Sequence, residues 1–235
     1  SAVSYNDLTD KDQIVNKDAV SMLVSLGIIE GKPDGSYGPT ENVDRAQMAK
    51  MLSVIMNKGV DNSALYQSVN SGLTDITSNW AKGHINYCYT TGIIAGRGNG
   101  TFDPSATVTA LEAAKMLLVA VGYDPKIEGF EGADWAINVS VRADEQGIFE
   151  GFTKDLSAPL NRDDAALLIY NALDVEMIQS YTTNNYPIAY SDHRTILADK
   201  YGVIKVQGVV VANEWASLAS DDGDAALKEG KTAIY

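Results

Sequence analysis

The sequence predicts a mainly α fold: three tandem helix–loop–helix repeats about a pseudo-threefold axis and a central helical bundle, followed by a small β-rich segment. Three observations predict it. The chain matches itself when shifted by 65 residues and again by a further 55. Each copy has two stretches with helical apolar spacing, separated by a glycine-bearing turn. Units of about 50 residues with one apolar helix face each cannot bury that face alone, whereas three together can.

The first shift needs no gap. Leu8-Thr9-Asp10 falls on Leu73-Thr74-Asp75, and Gly27-Ile28-Ile29-x-Gly31 on Gly92-Ile93-Ile94-x-Gly96. Tyr37 meets Phe102, Pro39 meets Pro104, Val43 meets Val108 and Met51-Leu52 meet Met116-Leu117. In the third copy Trp135-Ala136 answers Trp80-Ala81, Gly147-Ile148 answers Gly92-Ile93, and Pro159 answers Pro104. Beyond that proline the third copy is three residues shorter, so Asn161-Arg162 corresponds to Thr109-Ala110 and to Asp44-Arg45.

Within each copy, the first helix is announced by i, i+3, i+4, i+7 spacing: Val20, Leu23, Val24 and Gly27, then Ile85, Cys88, Tyr89 and Gly92. Trp135, Ile137, Val139 and Val141 in copy three also suit an extended strand. Asp10, Asp75 and Asp134 precede these helices, where N-capping is their default role. A glycine then ends the helix at a left-handed position, and a Pro-Asp-Gly or Gly-Asn-Gly turn follows. The second helix opens with Asp44-x-x-Gln47, Thr109-x-x-Glu112 or Asn161-x-x-Asp164, each a capping box or a near relative. Behind each cap runs an apolar stripe, such as Met48, Met51, Leu52 and Ile55 in the first copy.

The expected boundaries are 1–60, 61–124 and 125–177 for the repeats, with 178–235 a β-rich extension that begins a larger, truncated downstream region. Gln179 to Asn185 reads as a polar loop; Val203-Ile204-x-Val206, Val209-Val210-Val211 and Thr232 to Tyr235 read as strands, and Asp221-Asp222-Gly223-Asp224 as a turn. Ser1-Ala2-Val3 fits a mature chain whose leader has been removed, and equally a cut made for another reason.

Composition excludes several classes of function. With 18 basic against 31 acidic residues the net charge is −13, and no basic stripe exists to meet nucleic acid. No run approaches the roughly 18–20 apolar residues of a membrane-spanning helix, so no membrane insertion is expected. Cys88 is the single cysteine, which rules out an intrachain disulfide. His84 and Cys88 stand at i, i+4 without further ligands nearby, which suits a packed helix pair better than a metal site. Gly96-x-Gly98-x-Gly100 lacks the spacing of a phosphate-binding loop, so neither metal nor cofactor is expected.

Copy two carries Asp75, Trp80-Ala81, Gly92-Ile93-Ile94-x-Gly96, Asn99-Gly100-Thr101-Phe102-x-Pro104 and Val108-Thr109-x-x-Glu112-Ala113-Ala114-Lys115-Met116-Leu117. This pattern resembles the S-layer homology (SLH) domain, and the likeness extends less completely over residues 5–175. The resemblance implies a pseudo-trimer whose inter-repeat grooves hold secondary cell-wall polysaccharide, often bearing a pyruvate ketal. It also implies that a Thr-Arg-Ala-Glu-type motif supplies an arginine to the acidic group.

Arg45 and Arg162 stand at that motif, directly after an N-cap. A cation there is unfavourable by itself, but a bound carboxylate would meet both the guanidinium fork and free helix N–H groups. The competing reading is a structural salt bridge to a neighbouring Asp or Glu. Copy two departs from the pattern with Ala110, leaving one or two working grooves instead of three. Arg97, on the Gly96-Arg97-Gly98 turn, either substitutes or is a solvated turn residue. Trp80 and Trp135 are suited to stacking on a sugar ring, although core packing is the favoured reading. For Asp75 a hydrogen bond to sugar hydroxyls stands beside capping.

The expected function is therefore non-covalent anchoring of a secreted surface protein to a Gram-positive cell wall or S-layer through an acidic glycan. Self-assembly of an S-layer lattice with other subunits is the alternative. Catalysis is not expected: there is no coherent triad, and nothing sets two carboxylates facing one another.

Overall fold

The computed structural model describes residues 3–206, 210–213 and 232–234. The chain divides into two compact units, Ser1–Gly202 and Val203–Tyr235. The first is mainly helical. Its repeats supply α1 (Lys17–Ser25) and α2 (Arg45–Met56), α3 (Lys82–Thr90) and α4 (Ala110–Val121), then α5 (Trp135–Glu145) and α6 (Arg162–Ala172). A hairpin of β1 (Glu176–Tyr181) and β2 (Ala189–Thr195) and the short α7 (Ile196–Tyr201) complete it.

Packing runs between repeats. The second helix of one repeat lies against the first helix of the next: α2 on α3, α4 on α5, and α6 back on α1. The loops before the second helices interlock by a closed cycle of backbone hydrogen bonds. Val43 N–H donates to Leu160 O (2.9 Å), Leu160 N–H to Val108 O (2.8 Å), and Val108 N–H to Val43 O (3.1 Å). All three side chains are buried. Each repeat thus satisfies its buried backbone groups only in the company of the other two, as an unpaired buried amide is costly. Tyr37, Phe102, Leu23, Met48, Leu52 and Ile85 are among the largest fully buried side chains, each worth about 1.5–3 kcal/mol of apolar transfer.

The second helices are capped as their sequences suggest. Asp44, Thr109 and Asn161 accept from the backbone N–H of Gln47 (2.8 Å), Glu112 (3.1 Å) and Asp164 (2.7 Å). Only Thr109 makes the reciprocal bond, its own N–H donating to the Glu112 side chain (3.3 Å), because Gln47 and Asp164 are engaged elsewhere. Gly27 and Gly92 follow the C-caps of α1 and α3 at φ of +72° and +80°, the left-handed conformation that glycine adopts without steric penalty.

One open reading is settled and three expectations are corrected. The stretch from Trp135 to Val141 is helical, with Val139 and Ala143 buried one turn apart while Ile137 and Val141 face solvent. The first helices receive no side-chain cap from Asn16, Ala81 or Asp134. Instead Asp10 accepts from the N–H groups of Tyr37 and Gly38 (both 2.8 Å), and Asp75 from those of Phe102 (2.9 Å) and Asp103 (2.7 Å). These carboxylates clamp the loop instead of starting the helix. Part of the polar stretch at Gln179–Asn185 is strand: β1 runs through Tyr181, whose hydroxyl donates to Glu128 (3.0 Å) and accepts from Asp124 N–H (2.8 Å). Val203, Ile204 and Val206 belong to no strand.

In the second unit β3 (Val210–Asn213) pairs antiparallel with β4 (Thr232–Ile234), where strand had been expected. The turn at Asp221–Asp224 lies outside the described residues. Among the described residues no helix is long and apolar enough to cross a membrane.

Candidate functional site

Two of the second helices, α2 and α6, deliver their first residue to the loop of the next repeat. Arg45, 4% exposed, donates from Nε to Phe102 O (2.8 Å) and from Nη2 to Ala95 O (2.6 Å), its guanidinium lying 4.5 Å from the Phe102 ring centroid. Arg162 repeats the arrangement one repeat earlier. Its Nε donates to Tyr37 O (2.8 Å), its Nη1 to the Gln47 carboxamide oxygen (2.8 Å), and it stacks 4.8 Å from the Tyr37 ring. Neither arginine forms an ion pair with an acidic residue among the described residues, so the salt-bridge reading does not hold. Both hold neutral oxygens, so among the described residues no carboxylate within ion-pair distance offsets their positive charge. Burial and the neighbouring Arg97 pull the Arg45 guanidinium down to about 10, which still leaves it charged at neutral pH.

The free helix N–H groups expected beside these arginines are occupied. The N–H groups of Arg45 and Ala46 donate to Ala106 O and Pro104 O, and those of Arg162 and Asp163 to Glu41 O and Pro39 O. Cationic side chains therefore carry the attraction for an anion here.

Three clefts lie at the seams. The second, about 420 Å³, separates repeats two and three and is lined by Arg45, Gly96, Arg97, Glu112, Lys115 and Trp135, among others. The first, about 140 Å³, lies between repeats one and two and presents the equivalent positions: Arg162, Gly31, Gln47, Lys50 and Trp80. The third, about 300 Å³, lies between repeats three and one with Lys154, Asn161, Asp163 and Asp164. In this third cleft Val15 stands where the others have Trp, and by sequence alignment Leu167 stands where they have Lys and Ala110 where they have Arg. Lys154 is spent on Asp164 (2.5 Å).

Trp80 is 59% exposed and Trp135 half-buried, both at groove rims, so core packing is not their role. Lys50 and Lys115 were not picked out by the sequence reading. Both sit one turn and a half after the helix start and face the clefts that Trp80 and Trp135 border. Their signal was present: a lysine kept at the 65-residue shift inside an otherwise apolar stripe. Lys115 Nζ lies 5.9 Å from the Trp135 ring, and burial holds its ammonium below the ordinary lysine value. Arg97 pairs with Asp103 (3.4 Å) and approaches Glu112 (4.0 Å) at the mouth of the second groove. Asp75 stands one layer behind: burial, which would raise its carboxyl, is outweighed by the two loop N–H donors, which hold it below the usual value.

A groove holding one arginine, one lysine and an aromatic face can grip a carboxylate while stacking on a ring, the pairing of contacts an acidic sugar requires. Among the described residues no group of three or more His, Cys, Asp or Glu is placed to hold a metal ion.

Residues 4–49 and 72–114 match the family described as the S-layer homology domain. The chain is 28% identical over 225 residues to a cell surface protein of Thermoanaerobacter kivui, covering 95% of this chain and 27% of that protein. It is 34% identical over 113 residues to an S-layer protein of Bacillus licheniformis, covering 48% of this chain and 12% of that one. An amylopullulanase of Thermoanaerobacterium thermosulfurigenes is 30% identical over 186 residues, covering 73% of this chain and 10% of the enzyme. The chain thus spans about a quarter or less of the length of these relatives. Their common segment, the family match and the repeat geometry agree: the chain carries S-layer homology domains of the kind found in bacterial surface proteins.

Proposed function

We propose that residues 1–177 form a cell-wall anchor that binds an acidic, pyruvylated secondary cell-wall polysaccharide in its first and second grooves. The repeats are taken as 1–60, 61–124 and 125–177 about a pseudo-threefold axis, a reading supported by the closed backbone cycle through Val43, Val108 and Leu160. Residues 178–235 are taken as the β-rich start of a further region.

The observation that carries the proposal is the second groove. Among the described residues Arg45 and Lys115 have no carboxylate partner within ion-pair distance, and both stand beside the ring of Trp135. An anionic ketal would take the two cations, and the Trp face would cover the apolar side of the sugar. Arg162, Lys50 and Trp80 occupy the equivalent positions in the first groove, where Lys50 is paired with Glu30, and Arg97 adds charge at the mouth of the second. Asp75 acts by positioning: it fixes the loop that carries the Phe102 cradle for Arg45.

Modularity supports the same reading. Related segments occur in proteins named a cell surface protein, an S-layer protein and an amylopullulanase, as expected of a shared attachment segment joined to different partners in one chain. On this reading the present chain is not an enzyme, and it works outside the cell at a wall of the Gram-positive type.

Co-sedimentation tests it. The protein should pellet with wall sacculi that retain their polysaccharide and stay in solution with sacculi stripped of it by acid. Changing both Arg45 and Arg162 to Ala should abolish pelleting while the helical circular dichroism persists. Wild-type protein remaining in the supernatant above intact walls would reject the anchor.

Self-assembly of an S-layer lattice is the second reading, favoured by the exposed pair Ile137 and Val141 one turn apart on α5. Ordered sheets seen by electron microscopy without any glycan would support it.

A further inference from the structure

The first and second grooves share their arginine, lysine, tryptophan and loop glycine but differ in charge at two equivalent positions, Gln47 against Glu112 and the one before that glycine. The residue preceding the conserved loop glycine is Glu30 in the first groove and Ala95 in the second. Glu30 Oε2 lies 2.8 Å from Lys50 Nζ, so the first groove's ammonium already holds a carboxylate of the same chain. Lys115, its counterpart, has no carboxylate within ion-pair distance among the described residues; the exposed Glu131 attracts it from farther away. Glu112, the other acidic group of the second groove, is engaged with Thr109 N–H (3.3 Å) and with Arg97. The arginines do not add to this contrast, since both are held by neutral oxygens. The second arm of Arg162 is taken by the Gln47 side chain, that of Arg45 by a backbone carbonyl. The first cleft is also the smaller, about 140 Å³ against about 420 Å³.

We propose that Glu30 is an internal competitor for the acidic ligand: its carboxylate occupies Lys50, making the first groove the weaker site and the second the primary one. This rests on the glycan-binding reading above and sharpens it by assigning a residue that ranks the grooves. A ligand carboxylate entering the first groove must displace Glu30 from Lys50 and then share the site with its charge. The pair is partly exposed, 30% at Lys50 and 64% at Glu30. Such a pair contributes at most about 1 kcal/mol, so the handicap is up to about fivefold in affinity.

The exchange of these two residues is the test. Glu30→Ala should relieve the first groove, and Ala95→Glu, at an exposed position, should impose the same handicap on the second. The indole N–H resonances of Trp80 and Trp135 report each groove separately in the full 15N-labelled chain. The probe is a methyl glycoside bearing a 4,6-pyruvate ketal, with the ketal-free sugar as control. In the wild type the Trp135 resonance should reach its midpoint at an up to about fivefold lower probe concentration than that of Trp80. Glu30→Ala and Glu30→Gln should both bring the Trp80 midpoint down to that of Trp135, and Ala95→Glu should raise the Trp135 midpoint by up to about fivefold. Equal midpoints in the wild type, or a Trp80 midpoint unmoved by either Glu30 substitution, would overturn the competitor role and leave glycan binding intact. Wild-type indole resonances that ignore the probe at millimolar concentration would overturn glycan binding itself, and the competitor with it.

Discussion

The second and third grooves are built on the same backbone frame and differ at the three positions that would meet an acidic ligand. Where the second has Arg45, Lys115 and Trp135, the third has Ala110, Leu167 and Val15, and its one mouth cation, Lys154, is paired with Asp164. Both seams still contribute to the backbone cycle through Val43, Val108 and Leu160. The comparison separates two demands on each repeat. Closing the ring needs only backbone bonds and a buried branched residue, which all three copies keep. Holding an acidic sugar needs cations left unneutralised, and those survive where a second-helix arginine meets an aromatic cradle in the next loop. In the register that aligns Pro159 with Pro104, the third copy has Ser157 where the others have Tyr37 and Phe102, so no ring stands ready to stack beneath an arginine.

Single substitutions that turn an equipped groove into a bare one should have the largest effect. Arg45→Ala copies the Ala110 state into the second groove. Removing one partner of a desolvated charge pair costs about 2–5 kcal/mol, so affinity there should fall by on the order of 100-fold. Arg162→Ala should do the same to the first groove only. Titration followed at the Trp135 and Trp80 resonances would separate the two losses. If Arg45→Ala weakened both grooves equally, the arginines would be structural ties and not ligand contacts.

Much of this division was legible in the sequence and some of it was not. The 65-residue register, the capped second helices and the arginines at their starts are local patterns with fixed spacing, and the fold honours them. Lys50 and Lys115 were passed over because an apolar stripe hides one polar position, and only the packing of α2 on α3 and α4 on α5 shows which way that position faces. Trp80 was assigned to the core since a repeated tryptophan is usually buried, yet its exposure is set by a neighbouring repeat 50 residues back in the chain. Asp10 and Asp75 were assigned to the wrong partner for a similar reason. A carboxylate before a helix serves as a cap by default, and here it reaches 27 residues forward to a loop amide.

A second way to divide the grooves is to damage one seam. Gly83, near the start of α3, lies so close to the turn at Ser63 that an added Cβ would sit 2.1 Å from the Ser63 carbonyl oxygen. In an exposed helix interior Gly→Ala gains up to about 1 kcal/mol; here the clash with backbone should cost about 3 kcal/mol net. Calorimetry should show a melting temperature lower by about 6–12 °C. The Trp80 resonance, carried at the entrance to α3, should broaden or move while that of Trp135 stays. A stabilised Gly83→Ala variant would show that the approach of α3 to this turn is looser than 2.1 Å implies.

The smallest effect separates the first two seams by pH. Between α2 and α3 a polar pair is buried: Ser53 Oγ lies 2.6 Å from His84 Nδ1, with Asp61 3.5 Å from Nε2. The equivalent positions between α4 and α5 are Leu118 and Val139, both fully buried. Burial lowers the His84 value from its ordinary 6.5, opposed by Asp61 and Glu30 and aided by Lys50. The folded state therefore prefers the neutral ring, and the unfolded chain binds the proton first as pH falls. Stability is full above 6.5 and is lost as pH drops from there through the depressed folded value. Acidification from pH 8 to pH 5 should then lower the melting temperature, and amides of α3 should exchange faster with solvent than those of α5. Ser53→Leu with His84→Val copies the apolar seam of α4 and α5, and should remove the part of that pH slope owed to His84. Carboxylates elsewhere also lose stability in acid, so the quantity to compare is the difference in slope between this variant and the wild type. Identical slopes would mean that the buried ring opens to solvent before it charges, and that the two seams respond to acid alike.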